Sequence, residues 1–187
     1  MVNPPDDARL INLVGAAALG LSDAALGDAA IDQGLDVTAA AALVALLDLA
    51  QASSVQVLSR FTGLTHSGAV RLVNRLAGAG VVERSEGPDG RTVTVTLTPR
   101  GRSVAMRIRS ARRAAIASAL SGLTDRRRED LTAICEVLIT NIASARLQTR
   151  ATGRLPSGGA LCRMCDPSAC GRAHGHCPAA RTAAVGD

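Results

Sequence analysis

The chain has 187 residues, 47% of them apolar and 1% aromatic, which is ample for one domain with an aliphatic core plus a tail or small module. Two kinds of segment are excluded. A transmembrane helix requires about eighteen consecutive apolar residues without a charge, and the sequence has no such stretch. The N-terminus also lacks the basic segment of a secretory signal. The net charge of +5 is uneven, with −6 on residues 1–53, +8 on residues 54–113 and +3 on residues 114–187. We therefore expect a cytoplasmic protein with no membrane partner that binds a polyanion.

Helices are predicted before the basic segment. Residues 1–37 form an N-terminal helix region, with apolar residues at helical spacing: Leu10, Leu13, Val14, Ala17 and Leu21. Thr38 is predicted to open the next helix, which is apolar on nearly every side and therefore buried.

Residues 38–102 have the order helix, turn, helix and two-stranded hairpin, which predicts a winged helix-turn-helix core. Ser53 with Gln56 fits a capping box at the start of the first short helix, and Gly63 supplies the turn. Thr65 is a predicted N-cap for the second helix. In that helix one buried stripe is predicted, made of Ala69, Leu72, Val73 and Leu76.

Polar side chains at the start of this second helix and off its stripe are the candidate contacts to double-stranded DNA. Arg can bridge guanine O6 and N7, Asn can pair with adenine, and Ser or Thr can contact bases or phosphates. The candidates are Thr65, His66, Ser67, Arg71, Asn74 and Arg75.

The hairpin supplies two further candidates at its tip. Arg91 follows the turn Pro88-Asp89-Gly90 and is placed to enter the minor groove, where the potential is most negative. Asp89 is placed to hold that guanidinium by a bidentate contact. Thr98-Pro99 then predicts the N-cap and first residue of a long helix.

The run LTHSGAVRLVNRLAGAGVVER, followed by DGRTVTVTLTPRG, resembles the MarR family of bacterial transcription regulators. The resemblance covers roughly residues 8–147 and is strongest over residues 38–102. It implies a mainly α (α+β) fold in which the terminal helices of two chains form a dimerisation region. It also implies a homodimer on a palindromic operator and, usually, repression relieved by a small-molecule ligand or an oxidant.

Residues 103–150 are predicted to form long C-terminal helices. The last has a broad apolar stripe that includes Leu131, Ile134, Leu138 and Ile142. This stripe is either an intrachain core or a dimer interface. We favour the interface, because the first and last helices together show more apolar surface than one small winged domain can cover. Cys135, alone on this helix, is interpreted as a buried core cysteine rather than a redox sensor.

A linker over residues 151–160 precedes a cysteine-rich tail over residues 161–187. Its spacing is C-x2-C-x4-C-x6-C, at Cys162, Cys165, Cys170 and Cys177. Four thiolates can hold an iron–sulfur cluster or complete a tetrahedral zinc site. We favour the cluster because the ligands form one compact run, while two nearby histidines keep zinc open. Reversible disulfides or an unfolded tail are the alternatives.

The sequence therefore predicts a DNA-binding transcriptional regulator whose tail is a metal or redox-sensing element. It contains no Ser-His-Asp arrangement, phosphate loop or paired carboxylates on a helix, so no enzyme is predicted. The alternative is a winged-helix module that binds proteins, with a structural zinc clip and no sequence-specific DNA binding. The +8 charge of the winged segment argues against that alternative.

Overall fold

The structure is a computed structural model that describes residues 4–27, 30, 33–87, 92–154, 156 and 158–185. Two helical arms flank a winged core, and a tail follows the second arm. The elements are α1 (Pro4–Ser22), a π-helical turn (Asp23–Gly27), α2 (Val37–Asp48), β1 (Ser53–Ser54), α3 (Val55–Thr62), α4 (His66–Gly78), β2 (Val82–Glu86), β3 (Val93–Leu97), α5 (Pro99–Ala119), α6 (Asp125–Ala151), a 3₁₀ turn (Arg172–His174) and α7 (Pro178–Val185).

Side-chain caps fix where most of the predicted helices begin. Thr65, Thr98 and Thr124 each accept a hydrogen bond from a backbone N–H in the first turn of α4, α5 and α6. Two other starts differ from the sequence prediction. Asp36 rather than Thr38 caps α2, and Ser54 rather than Ser53 caps α3. The predicted capping box is wrong because Ser53 is taken up by a strand.

That strand adds a third member to the predicted two-stranded wing. The sheet order is β1-β3-β2, both pairs antiparallel, with Ser53 opposite Val95 and Val82 opposite Leu97. Two serines carry no strand periodicity, so the sequence gives no local sign of β1. Its pairing ties the wing directly to the start of α3.

The core lies between α2, the helix-turn-helix and the first half of α5. All residues from Ala39 to Leu47 are buried, as predicted for α2. The predicted stripe of α4 is also buried, and Leu76 and Val95 are fully enclosed. Arg109 on α5 donates to both carboxylate oxygens of Asp48 at 2.8 Å, which fixes α5 against the end of α2.

The start of α5 packs against the backbone that leads into the wing. Gly101 is buried in the first turn of α5. A Cβ there would lie 2.7 Å from the carbonyl carbon of Val81 and closer still to its oxygen. The same oxygen accepts the backbone N–H of Thr98 at 3.2 Å. The Leu-Thr-x-x-Gly sequence at the end of the wing thus has a steric reason for its glycine.

The two helical arms are largely exposed in a single protomer. On α6 only Ala143 is buried, while Ile134, Leu138 and Ile142 are 55%, 42% and 47% exposed. On α1 five large apolar side chains are exposed: Leu10, Ile11, Leu13, Val14 and Leu19. The intrachain-core interpretation of the α6 stripe is therefore wrong. Cys135, interpreted as a core cysteine, is also exposed in the protomer.

The segment Asp7–Leu26 is long and apolar enough to cross a membrane by length and composition, with a mean hydropathy of 1.3. The sequence argument against any such helix is thus too strict. It counted only charge-free stretches, whereas this segment contains Asp7, Arg9 and Asp23. This apolar segment is equally suited to packing against a second chain, because only 6% of its most apolar part is buried within the protomer.

Candidate nucleic-acid interface

Helix α4 presents its polar residues on one exposed surface. The buried stripe fixes the rotation of the helix, because Ala69, Leu72, Val73 and Leu76 belong to the hydrophobic core. All six α4-related candidates are consequently exposed: Thr65, His66, Ser67, Arg71, Asn74 and Arg75. The residue pattern therefore placed the polar surface of α4 correctly, although exposure alone does not assign contacts to DNA.

Four of these candidates, Thr65, His66, Ser67 and Arg71, have no ion pair or long-range side-chain bond within the described residues, and Arg71 is the arginine among them. Thr65 caps α4 by accepting from the Gly68 N–H at 3.2 Å, and its hydroxyl lies 3.2 Å from that of Ser67. Within the described ranges, the side chains of His66 and Arg71 make no hydrogen bond or ion pair. Arg71 is therefore the side chain of α4 that combines exposure, positive charge and freedom to reach a phosphate or a base edge.

Arg75 is partly engaged. Its Nη2 lies 2.5 Å from Oδ2 of Asp36, the residue whose other oxygen caps α2. The two side chains are 60% and 50% exposed, and an exposed pair of this kind contributes roughly 0–1 kcal/mol. A DNA phosphate can therefore compete for Arg75 at little loss of stability.

Asn74 is held by a residue that the sequence interpretation missed. Arg84 on β2 donates from Nη1 to Oδ1 of Asn74 at 2.6 Å. This leaves both amide hydrogens and a lone pair of Asn74 open toward solvent. Arg84 is itself exposed, so it adds a positive charge between α4 and the wing. Its strand position was predictable, but the contact joins residues ten apart across a turn, and no local spacing rule gives it.

The tip of the wing, residues 88–91, lies outside the described residues. The candidates Asp89 and Arg91 therefore remain predictions from the sequence. The strands on either side are described as far as Gly87 and Thr92, whose backbones are joined by a 2.8 Å hydrogen bond.

The cysteine tail follows α6 and folds back on the same chain. Cys162, Cys165 and Cys170 are half-buried and Cys177 is buried. Burial raises the pKa of the Cys165 thiol; the positive charge of Arg112 opposes this, and the other three tail cysteines raise it further. Burial likewise raises the pKa of Cys170. The four thiols are thus close enough to influence one another.

The four tail thiols lie near one another but are not arranged as metal ligands. Across the part of the chain that the structure describes, no group of three or more His, Cys, Asp or Glu side chains is arranged to hold a metal ion. The donor set is chemically suited to a soft or borderline metal. Binding one would require the thiols to move together.

The tail faces a basic groove on α5. A cavity of about 550 Å³ separates the two, and arginines and tail cysteines share its walls: Arg109, Arg112, Arg113, Arg128, Cys165 and Cys170. Elsewhere in the tail, burial and the nearby charge of Arg146 lower the pKa of Arg163. The cysteines therefore lie among positive charges from two helices.

Comparison with known proteins gives a consistent result. Residues 33–92 match the family model described as "MarR_2: MarR family". A MarR family protein from Bacillus stearothermophilus is 21% identical, covering 76% of this chain and 99% of its own, with a TM-score of 0.64. The MarR family protein Rv2887 of Mycobacterium tuberculosis is 27% identical, covering 71% and 95%, with a TM-score of 0.56.

A third similar structure is that of CouR from Rhodococcus jostii RHA1 bound to p-coumaroyl-CoA. It is 24% identical and covers 69% of this chain and 88% of its own, with a TM-score of 0.50. No curated protein matches the chain by sequence. Each of these three structures leaves about a quarter or more of the chain unmatched. The winged fold is thus shared, and a sizeable part of the chain has no counterpart in them.

Proposed function

We propose that this chain, which belongs to the MarR family of transcriptional regulators through its winged fold and residues 33–92, is a cytoplasmic homodimeric repressor that binds a palindromic operator. MarR family proteins are DNA-binding regulators and not enzymes. The observation that carries the proposal is the exposed, basic surface of α4, with Arg71 free and Asn74 oriented by Arg84.

The structure of one protomer supports the homodimer in this proposal. Helices α1 and α6 expose large apolar side chains along most of their length. Contiguous exposed apolar surface of this kind marks an interaction site. A two-fold dimer would place two α4 helices about one DNA turn, roughly 34 Å, apart, so the operator would be an inverted repeat.

Replacing Arg71 with Ala is expected to weaken operator binding by about 1–3 kcal/mol per half-site, the scale of one good contact to a base. If Arg71 reads base edges, preference at particular base pairs should relax. If it contacts phosphate, affinity should fall evenly and the salt slope should shrink. Selection on randomised sites, with titrations at several salt concentrations, separates the two.

Arg127→Ala is the matched control, because it removes one exposed arginine from α6, outside the winged core. It should leave operator affinity and sequence preference nearly unchanged. Equal binding by wild type and Arg71→Ala on every DNA would mean that α4 is not the reading helix. An equal loss of operator affinity in both variants would mean that binding depends only on the net charge of the protein.

The tail supplies the second part of the proposed function: the four cysteines bind a metal centre, an iron–sulfur cluster or zinc, that senses metal or redox state. Four thiolates around a divalent ion leave a charge of about −2, which the arginines of the α5 groove would offset. The tail has few apolar residues, so metal binding would also supply folding energy to it. The proposal also includes a small-molecule effector that relieves repression, and the structure of CouR bound to p-coumaroyl-CoA supports ligand binding by this fold.

Replacing Cys162 and Cys165 with Ser is expected to abolish metal binding, since half of the thiolate set is lost. Cys135→Ser is the control, because Cys135 is a lone exposed cysteine on α6. Metal content and the visible absorption spectrum of anaerobically purified protein measure the result: a cluster absorbs visible light, whereas zinc, a d¹⁰ ion, does not. Metal retained by the double variant, or absent from wild type, contradicts the proposed centre.

A further inference from the structure

The start of the tail docks on the turn of the helix-turn-helix. Gly63 ends α3 in the left-handed conformation, at φ 75°, and Gly159 has φ 71°. A Cβ on Gly159 would lie 2.6 Å from the carbonyl carbon of Thr62 and 2.7 Å from the nitrogen of Gly63. A Cβ on Gly63 would in turn lie 2.9 Å from the Cα of Gly159. The two backbones therefore meet where only glycine leaves room.

Hydrogen bonds and burial fix this contact from both ends. The Ala160 N–H donates to the carbonyl oxygen of Phe61 at 2.9 Å, which satisfies a backbone acceptor in the last turn of α3. Arg146, on α6, donates from Nη1 to the carbonyl oxygen of Gly159. Met164 is 5% exposed and belongs to the same hydrophobic cluster as the stripe of α4.

Residues 158–164, which we name the strap, thus join three parts of the chain. They connect α6 to the turn before α4, and Cys162 and Cys165 lie within the strap or directly after it. A change in how these cysteines are held must move the strap or strain its contacts, because only two residues lie between Gly159 and Cys162. The turn in contact with the strap determines where α4 begins.

We infer that the strap couples the cysteine tail directly to the recognition helix of the same chain, so that the state of the cysteines sets the position of α4 and hence affinity for DNA. The inference rests on the proposed function, since it assigns a route by which the proposed sensor acts. It is a route within one protomer, separate from any change in the spacing of two protomers.

The strap is tested by Gly159→Ala, with Gly153→Ala as the matched control. Both glycines have a left-handed backbone, at φ 71° and 77°, so the strain of adding a Cβ is similar. Around Gly153 nothing lies within 4 Å of the added carbon, whereas at Gly159 it meets the backbone of the turn. Only Gly159→Ala should therefore push the strap away from α3.

Hydrogen exchange of the full-length protein tests the contact itself. In Gly159→Ala the Ala160 amide should exchange faster, and protection at the start of α4 should fall. Gly153→Ala should match wild type at both places. Operator affinity should drop roughly fivefold or more in Gly159→Ala alone, the usual scale of coupling between sites. Unchanged exchange and unchanged affinity in Gly159→Ala would overturn the strap.

The coupling is tested by combining Gly159→Ala with Cys162→Ser/Cys165→Ser. If the strap is the route, replacing the cysteines changes operator affinity in the wild-type background and has little further effect once the strap is displaced. Additive effects, or no effect of the cysteines in either background, would overturn the coupling. Wild type that binds no DNA would instead refute the proposed function, while the exchange result would still judge the contact.

Discussion

Gly101→Ala is expected to destabilise the protein by about 3 kcal/mol, at the upper end of the range for forcing extra volume into a packed site. The added carbon would sit against the carbonyl of Val81, which already accepts the N–H of Thr98. That carbonyl belongs to backbone rather than to a flexible side chain, so relief requires α5 to move away from the wing. The bond that joins the wing to the cap of α5 would then weaken.

Gly78→Ala is the matched control for this prediction. Gly78 is also helical, at the end of α4, and nothing lies within 4 Å of a Cβ added there. Alanine is favoured over glycine within helices, so this variant should be neutral or slightly stabilised. Urea unfolding at one protein concentration measures both, since a dimer's stability depends on concentration. Similar midpoints for Gly101→Ala and wild type would show that the approach of α5 to Val81 is not tight in solution.

The parts of the fold that the sequence predicts are those set by local chemistry. The stripe of α4 follows from helical spacing, and Thr65 and Thr98 are caps because their hydroxyls reach N–H groups in the next turn. The MarR resemblance of the winged segment was confirmed by the family match and by the fold. The order helix, turn, helix and hairpin could also be predicted, because caps, turns and apolar spacing mark each of these elements locally.

The parts that the sequence does not predict depend on contacts between distant residues. Arg75 meets Asp36 across 39 positions, and Arg84 meets Asn74 from a different element. Neither pair has a spacing that marks it. The contact of Gly63 with Gly159 is likewise invisible in the sequence, where residues 151–160 are interpreted only as a linker. The sequence shows which side chains can form ion pairs and hydrogen bonds, but the fold determines which of them come into contact.

The interpretation of Cys135 failed for a related reason. Its helix is apolar enough to be a core helix, and a cysteine among apolar residues is normally buried. The single protomer leaves it exposed, as it does Ile134 and Leu138. Apolar periodicity indicates that a face is covered, but it does not indicate whether the covering surface comes from the same chain.

Leu138→Asp is expected to dissociate the proposed homodimer, which makes it the substitution with the largest expected effect on assembly. Leu138 lies in the exposed apolar stripe of α6, between Ile134 and Ile142. An unpaired charge buried at such a site costs about 3–5 kcal/mol. Two-fold symmetry places residue 138 of both chains in the interface, so the free energy of dimerisation should weaken by about 6–10 kcal/mol. The protomer itself should remain folded, because the side chain is 42% exposed in it.

Thr140→Asp separates loss of the interface from a general effect of charge on α6. Thr140 is exposed on the opposite side of the helix, in a groove that faces α7. Light scattering at micromolar concentration should show a monomer for Leu138→Asp and a dimer for Thr140→Asp and wild type. The monomer should also bind the operator far more weakly, because the two half-sites are then no longer linked. A Leu138→Asp protein that stays dimeric and binds normally would place the interface elsewhere, on α1 alone or on another surface, and would exclude the exposed stripe of α6 from it.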